Sequence, residues 1–508
     1  VWIVALALGC ALRLLPITAA RPYMSYVDEG NFLHPAFILV GQGGWDPKTY
    51  LYPQLPILAV KAAARVVEPI YTAVSGRPFR DRIPATPGLY DDLEPFVLLV
   101  IARCLSVGLG LAIVVLTGLL AARLAGPEAG AAAALLAAVT PALVLRGSIA
   151  SVDSYAAFFV LACAFLTDLG RTSPRPRLVA LAAGAAAGMA FASKYPAGLV
   201  IVAFGISTTL LPIAPLEKVR RLTLAALGVA AGAAAGMPVL VVHPVRILDA
   251  IRVQATLYAH LTSPPLWKQA FLRAEWDLAY ERPELGVVFV ILALAGLLLG
   301  LRSRDTASTH GGWAAFLVVC LFFYGRETFQ PFRNLVPLVP FGCITVVLLY
   351  GTLRRRVPNP YWIDAAAVLW LAVAFVAPLG LYAKSRRDFT DSRTRAVDWI
   401  VSHVRPDDRV LVVAEIGILP RELDRLSGTA AVRWWEAAQG EIRAQRPRFV
   451  VAGVFERKDG PPVDVAALPW VLAEYAVVFG TGTASTPASG QLWRGNGQQV
   501  LVLERKAP

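Results

Sequence analysis

Residues 178–212 read LVALAAGAAAGMAFASKYPAGLVIVAFGISTTLLP, and their only charge is Lys194. At about 1.5 Å of rise per residue the run is too long for one bilayer crossing and tight for two. The basic clusters on either side decide between these readings. If Ser193-Lys194-Tyr195-Pro196 turns the chain between two short helices, four clusters fall on one side of the membrane. They are Arg171, Arg175 and Arg177; Lys218, Arg220 and Arg221; Arg302 and Arg304; and Arg354, Arg355 and Arg356. The positive-inside rule makes that side the cytoplasm. A single helix would send the last three clusters outside, so the stretch reads as two helices joined by an outer turn at Lys194.

Further apolar blocks occur at roughly 1–19, 96–122, 128–147, 153–169, 222–242, 286–301, 312–324, 334–351 and 361–382. With the two halves of 178–212, taken as 178–192 and 196–212, they predict an all-α polytopic membrane protein of about eleven transmembrane helices. Composition agrees: the 508 residues are 56% hydrophobic with a mean hydropathy of +0.58, far too apolar for an ordinary soluble protein. A net charge of +13 could suggest nucleic acid, but the cations lie largely in short loops, where topology accounts for them. All five cysteines fall in apolar segments and predict neither a disulfide framework nor a metal cluster. The opening stretch reads as a retained anchor, since no small-residue cleavage site precedes Asp28.

This topology places three polar pieces outside: the loops 21–95 and 243–285, and the tail 384–508. Residues 60–67 in the first loop suit a helix lying on the membrane surface or packed on the bundle. Helical character at 396–401 and buried-strand character at 409–414, 448–453 and 499–503 predict a small α/β domain in the tail. The domain expectation is therefore 1–383 in the membrane and 384–508 outside it.

Candidate chemistry gathers on the outer face. Asp28 and Glu29 follow the first span in a water-facing loop, and acids so near hydrocarbon are costly unless they face a polar cavity. A solvated helix end is the alternative. Asp153 opens the fourth span, where it is either a site residue or part of an N-cap with Ser151. Lys48, in Trp45-Asp46-Pro47-Lys48-Thr49-Tyr50-Leu51-Tyr52-Pro53, could neutralise a phosphate, while Tyr52 suits an interfacial anchor. Lys194 is either a site cation or a snorkelling one. Arg333 opens the tenth span and could fork onto phosphate oxygens or pair with an acid such as Glu327. His260, in His260-Leu261-Thr262-Ser263, joins the second outer loop as a candidate or as a structural histidine. Acids opposite cations, with no Gly-rich nucleotide loop or nucleophile elbow, argue against a nucleotide-sugar enzyme. They suit a transferase whose leaving group is a phosphate.

The acid pair, the Tyr52-Pro53-x-x-Pro56 element, Asp153, Lys194-Tyr195, His260 to Trp267 and Arg333-x-x-x-Pro337-x-x-Pro340 together resemble the GT-C glycosyltransferases. The nearest branch is the protein O-mannosyltransferase and lipid A aminoarabinose transferase group. The resemblance extends over roughly the first 350 residues. It implies a polyprenyl-phosphate-linked sugar donor, inverting transfer on the extracytoplasmic face, and residence in a bacterial plasma membrane. Asp28 would act as base. Glu29, Asp153 and His260 would position sugar or acceptor, and Lys48, Lys194 and Arg333 would bind the donor phosphate, with Tyr52 against the lipid. No cofactor is certain, a divalent metal ion held by Glu29 and Asp153 being the open case. Asp46-Pro47-Lys48 departs from the Glu-Lys-Pro-Pro run of the aminoarabinose branch, and the β-trefoil insertion of eukaryotic O-mannosyltransferases is missing. The acceptor the resemblance implies is a glycan, lipid or protein, the missing insertion giving a protein no support. The rival reading is a transporter or flippase of lipid-linked saccharides, although such proteins carry their charges near the midplane.

Overall fold

A computed structural model describes residues 1–18, 27–81, 96–259, 283–325, 332–386, 392–405, 407–416, 418, 420–426, 430–457, 460–481 and 500–506. The chain forms two compact units, the first comprising Val1–Ile17, Pro35–Ile70 and Ile101–Tyr382, the second Thr18–His34, Tyr71–Val100 and Ala383–Pro508.

The helices in order are α1 (Trp2–Leu14), α2 (Val27–Gln42), α3 (Gln54–Ser75), α4 (Val97–Ala125), α5 (Pro127–Val139), α6 (Pro141–Ser148), α7 (Val152–Thr172), α8 (Pro176–Ser193) and α9 (Ile201–Thr209). They continue with α10 (Pro215–Gly236), α11 (Val239–Val242), α12 (Pro244–Ala259), α13 (Pro283–Arg302), α14 (Ala307–Gly325), α15 (Val339–Arg356) and α16 (Tyr361–Arg386). Among the described residues, each of the eleven apolar blocks is helical over most of its length. By length and composition, five helices among the described residues can cross a bilayer, or six if α5 and α6 count as one bent span. The protein is thus multi-pass and mostly helical, while its number of crossings is not fixed at eleven.

Local sequence explains the breaks. The 178–212 stretch is two helical pieces: α8 ends at Ser193, Lys194 is extended, and a 3-10 turn over Tyr195–Val200 leads into α9. A second break lies inside the block 128–147, where Pro141, lacking an N–H, follows Thr140 and the axes of α5 and α6 diverge by 59°. The carbonyls freed there are met by Arg13, which is fully buried. Its Nη1 donates to Ala138 O at 3.0 Å and its Nη2 to Ala137 O at 3.5 Å. Gly110 and Gly147 make room for it, since a Cβ on either would stand 2.7 Å from Arg13 Nε.

Small residues set the closest packing. Gly184 and Gly188 of α8 meet Gly228 and Gly232 of α10 so closely that a Cβ at any of the four would overlap backbone of the facing helix. These are paired small-xxx-small faces, which let helices approach within a membrane. In α3 the polar and basic side chains Gln54 and Lys61 are buried, while Val66, Ile70 and Val74 form an exposed apolar stripe one turn apart.

The tail carries α17 (Ser392–His403), α18 (Pro420–Asp424), α19 (Trp435–Gln445) and α20 (Pro469–Glu474) around a mixed sheet of order β2-β1-β3-β6-β5. Its strands are β1 (Val410–Val413), β2 (Ala430–Arg433), β3 (Phe449–Arg457), β4 (Gly460–Asp464), β5 (Tyr475–Thr481) and β6 (Val500–Arg505). β1 runs parallel to β2 and β3, and β6 antiparallel to β3 and β5. Central β1 and β6 are nearly fully buried, whereas β2 at the edge is half-exposed.

Candidate active site

Lys194 and Asp153 come together. Asp153 lies in the first turn of α7, capped by Ser151, whose Oγ accepts the Asp153 N–H at 3.1 Å and donates to Asp153 Oδ2 at 3.0 Å. Ser151 is in turn fixed by its own N–H, which donates to Ser106 Oγ of α4 at 3.3 Å. The cap is therefore Ser151, leaving Asp153 Oδ1 for the Lys194 ammonium at 2.7 Å. The pair is withdrawn from solvent, with side-chain exposures of 3% for Asp153 and 16% for Lys194, so Lys194 does not snorkel. The ammonium also donates to Asn334 Oδ1 at 2.7 Å. An ammonium has three donors, and these contacts use two.

The extended break places these groups. Because α8 stops at Ser193, Lys194 reaches toward α7 and Asn334, while its neighbour Tyr195 donates to Tyr50 O at 2.7 Å and packs its ring 5.4 Å from that of Phe191. Tyr50 belongs to the α2–α3 loop. That loop is tied by Gln54 Nε2 to Trp45 O, by Lys61 Nζ to Gly44 O and by Gln254 Nε2 to Leu51 O. Gln54 Oε1 accepts the Val239 N–H of α11 at 3.1 Å. Ala192, Tyr195, Met237, Val239 and Ile247 form a small apolar core beneath it.

Lys48 stands on this loop with a positive φ of 61°. Its ammonium pairs with Asp46 at 3.1 Å, yet its side chain is 78% exposed. Asp46 also receives the Lys48 N–H at 2.9 Å and the Tyr50 hydroxyl at 3.0 Å. Burial alone would raise the Asp46 carboxyl; those hydrogen bonds and the Lys48 charge outweigh it and hold the group below its ordinary value. Tyr52 is half-buried in the same loop.

The remaining expected site residues fall as follows. Asp28 and Glu29 begin α2, so the pair opens a helix and does not stand in a loop. Glu29 is fully buried, unlike a solvated helix end. The Asp28 and Arg333 side chains lie outside the described residues, although Arg333 is placed in the 3-10 helix Phe332–Leu338. His260 and Glu327 lie outside them altogether. Among the described residues, no three His, Cys, Asp or Glu side chains converge as a metal ion requires.

Asn334 was not singled out by the sequence, since a neutral amide beside Arg333 carries no charge signal. Asp46 was passed over for its louder neighbour Lys48.

Residues 90–252, less than half of the chain, match the sequence profile of the family described as dolichyl-phosphate-mannose-protein mannosyltransferase. That stretch contains Asp153 and Lys194. No curated protein matches by sequence. Among solved structures, ArnT from Cupriavidus metallidurans bound to undecaprenyl phosphate aligns at a TM-score of 0.56 and 13% identity, covering 98% of this chain and 97% of that one. This is the GT-C fold. The apo form of the same ArnT aligns at 0.52 and 15% identity over 99% and 97% of the two chains. The Archaeoglobus fulgidus oligosaccharyltransferase in the apo form aligns at 0.51 and 11% identity over 89% and 69%. At such identities the GT-C likeness speaks for architecture, and the chemistry must be argued from the side chains.

Proposed function

We propose that the protein is a membrane glycosyltransferase moving a sugar from a polyprenyl-phosphate donor to an acceptor on the extracytoplasmic face. It would lie in a bacterial plasma membrane, with residues 1–383 as the transferase domain and 384–508 as an extracytoplasmic α/β domain. The observation that carries the reading is the buried Asp153–Lys194–Asn334 constellation, inside a GT-C fold and largely within the mannosyltransferase-like stretch. The undecaprenyl phosphate bound to the similar ArnT supports a lipid-phosphate donor.

In the mechanism, the acceptor oxygen attacks the anomeric carbon, its proton passes to the Asp28 carboxylate, and the bond from that carbon to the phosphate oxygen breaks with inversion. The departing phosphate keeps the electron pair. Lys194 offers its third N–H to that charge, with Lys48 and Arg333 as further cations. Fixed donors in a site shielded from water stabilise such charge most. Glu29, Asp153 and His260 orient sugar and acceptor, Asp153 also holding Lys194 in place, and Tyr52 lies against the lipid.

The test is transfer from a labelled undecaprenyl-phosphate sugar by purified protein. Asp28→Asn should lower the rate by about a hundredfold or more while the protein remains folded. Undiminished transfer by that variant would remove Asp28 from the chemistry. Movement of labelled lipid across vesicles with no transfer product would favour the transporter.

A further inference from the structure

Asp153 lies at one end of α7; the opposite end borders a cleft that the proposed chemistry does not use. The cleft is lined by α7, α8, α9, α10 and α14 and is shallow: of the roughly 310 Å³ between its walls, nearly all is open solvent at the mouth. Arg171 and Arg221 line it together with the hydroxyl residues Thr167, Ser207, Thr208 and Ser308. All four hydroxyl residues are largely or wholly withdrawn from solvent. The apolar part of the wall includes Leu166, Val179, Phe204 and Leu211.

The charges around it do not cancel. Asp168 accepts from both Arg123 at 2.8 Å and Arg171 at 3.0 Å. Glu217 accepts from both Arg177 at 2.8 Å and Arg221 at 3.2 Å. Two carboxylates thus serve four guanidiniums, leaving a surplus of positive charge. Both lining arginines also keep free donors. Arg171 gives N–H groups to Asp168, Thr309 and the Asp305 carbonyl, and Arg221 to Glu217 and the Gly170 carbonyl, out of five on each. These same contacts hold the two side chains in place, so an incoming anion meets fixed forks.

The geometry points to the phosphate of an anionic phospholipid headgroup, taken from the leaflet at the Arg171 end of α7. Guanidinium forks match phosphate oxygens, and basic pockets between membrane helices on this kind of face recognise anionic headgroups. Most of the space is mouth, which suits a headgroup held at high local concentration by its own membrane. On the same helix ends as the lining residues, Leu178, Ile206, Leu210, Leu216 and Val219 are exposed, apolar surface that acyl chains could cover. The site is independent of the transfer chemistry.

The probes are phosphatidylglycerol, phosphatidylcholine and inorganic phosphate, each added to the purified full-length chain in neutral detergent, with bound lipid read by native mass spectrometry. Phosphatidylglycerol should be retained about tenfold more strongly than phosphatidylcholine, and added salt should weaken it. Arg221→Gln should lower that retention about tenfold. Val179→Trp, which narrows the cleft and leaves every charge in place, should lower it comparably with the protein still folded. Equal retention of the two lipids overturns the proposal, as does unchanged phosphatidylglycerol binding in a folded Val179→Trp protein. Displacement of phosphatidylglycerol by millimolar inorganic phosphate would overturn the lipid assignment in favour of a soluble anion.

Discussion

At the Ser151 end of α7 a buried carboxylate is held by one lysine and one serine; at the Arg171 end another, Asp168, is held by two guanidiniums and the Thr309 hydroxyl. Both acids are almost wholly buried. The difference lies in the cations. Arg123 and Arg171 are planar forks, and further bonds to Thr172 and the Asp305 carbonyl fix them. Lys194 is a point charge on a flexible stem, with one donor to spare. The arginine end ties helix ends together, and its guanidiniums stay fixed whether or not they meet an anion. The lysine end holds one movable charge, whose spare donor can follow a developing negative group.

The largest expected effect separates the two ends. Lys194→Met or Asp153→Asn should each cost about 3–5 kcal/mol of stability by upsetting a buried pair. Transfer should fall about a thousandfold. The double variant Asp153→Asn with Lys194→Met should recover much of the stability and none of the transfer. Asp168→Asn should be destabilising on a similar scale, yet leave transfer per folded molecule within about threefold. Thermal unfolding and transfer measured on the same preparations give both numbers. A double variant that regains transfer along with stability would make the Asp153 end a lock as well.

A smaller effect sharpens the same contrast. Asn334→Ala removes one neutral acceptor from Lys194 and leaves the ion pair, so about 1 kcal/mol and a rate loss of roughly fivefold to tenfold are expected. Asn334→Asp keeps the acceptor and should retain the fold. If Asn334→Ala matches Lys194→Met in its loss of transfer, the amide itself touches the substrate.

The difference between the ends was only partly legible in the sequence. Long apolar runs show themselves because burial in lipid demands continuous hydrocarbon, and Lys194-Tyr195-Pro196 marked its break because a charge and an imide interrupt such a run. Asp153 and Lys194 were each visible as a charge near hydrocarbon. Their pairing, across 41 positions, was not. The break at Thr140-Pro141 stayed hidden inside one apolar block because the group that satisfies it, Arg13, lies 125 residues before the Ala138 carbonyl it meets. In the tail, β1, β3 and β6 were expected from their apolar runs, whereas the half-exposed edge strand β2 has too little apolar character to show. Asn334 and Asp168 gave no signal at all, since partners distant in the chain decide what an amide or an acid does.

The smallest expected effect concerns the loop that Tyr195 binds. Asp46 holds the Lys48 amide, the Lys48 ammonium and the Tyr50 hydroxyl, and its carboxyl lies below its ordinary value. A carboxyl lowered on folding contributes its stability in full above that ordinary value, near pH 4, and loses it as the pH falls through the lowered one. Protonation would remove the charge that Lys48 meets and weaken both hydrogen bonds, loosening the loop that ends at Tyr50. With Lys48 so exposed, the expected change is about 1 kcal/mol or less. Limited proteolysis of the loop, or emission from the exposed Trp45, should change below about pH 4 in the wild type. Asp46→Asn should show the loosened state at neutral pH and little further change on acidification. Because this variant leaves Asp153 and Lys194 untouched, any loss of transfer it causes would pass through Lys48, which it deprives of a partner, or through the Tyr195–Tyr50 bond, and Tyr195→Phe removes the second alone.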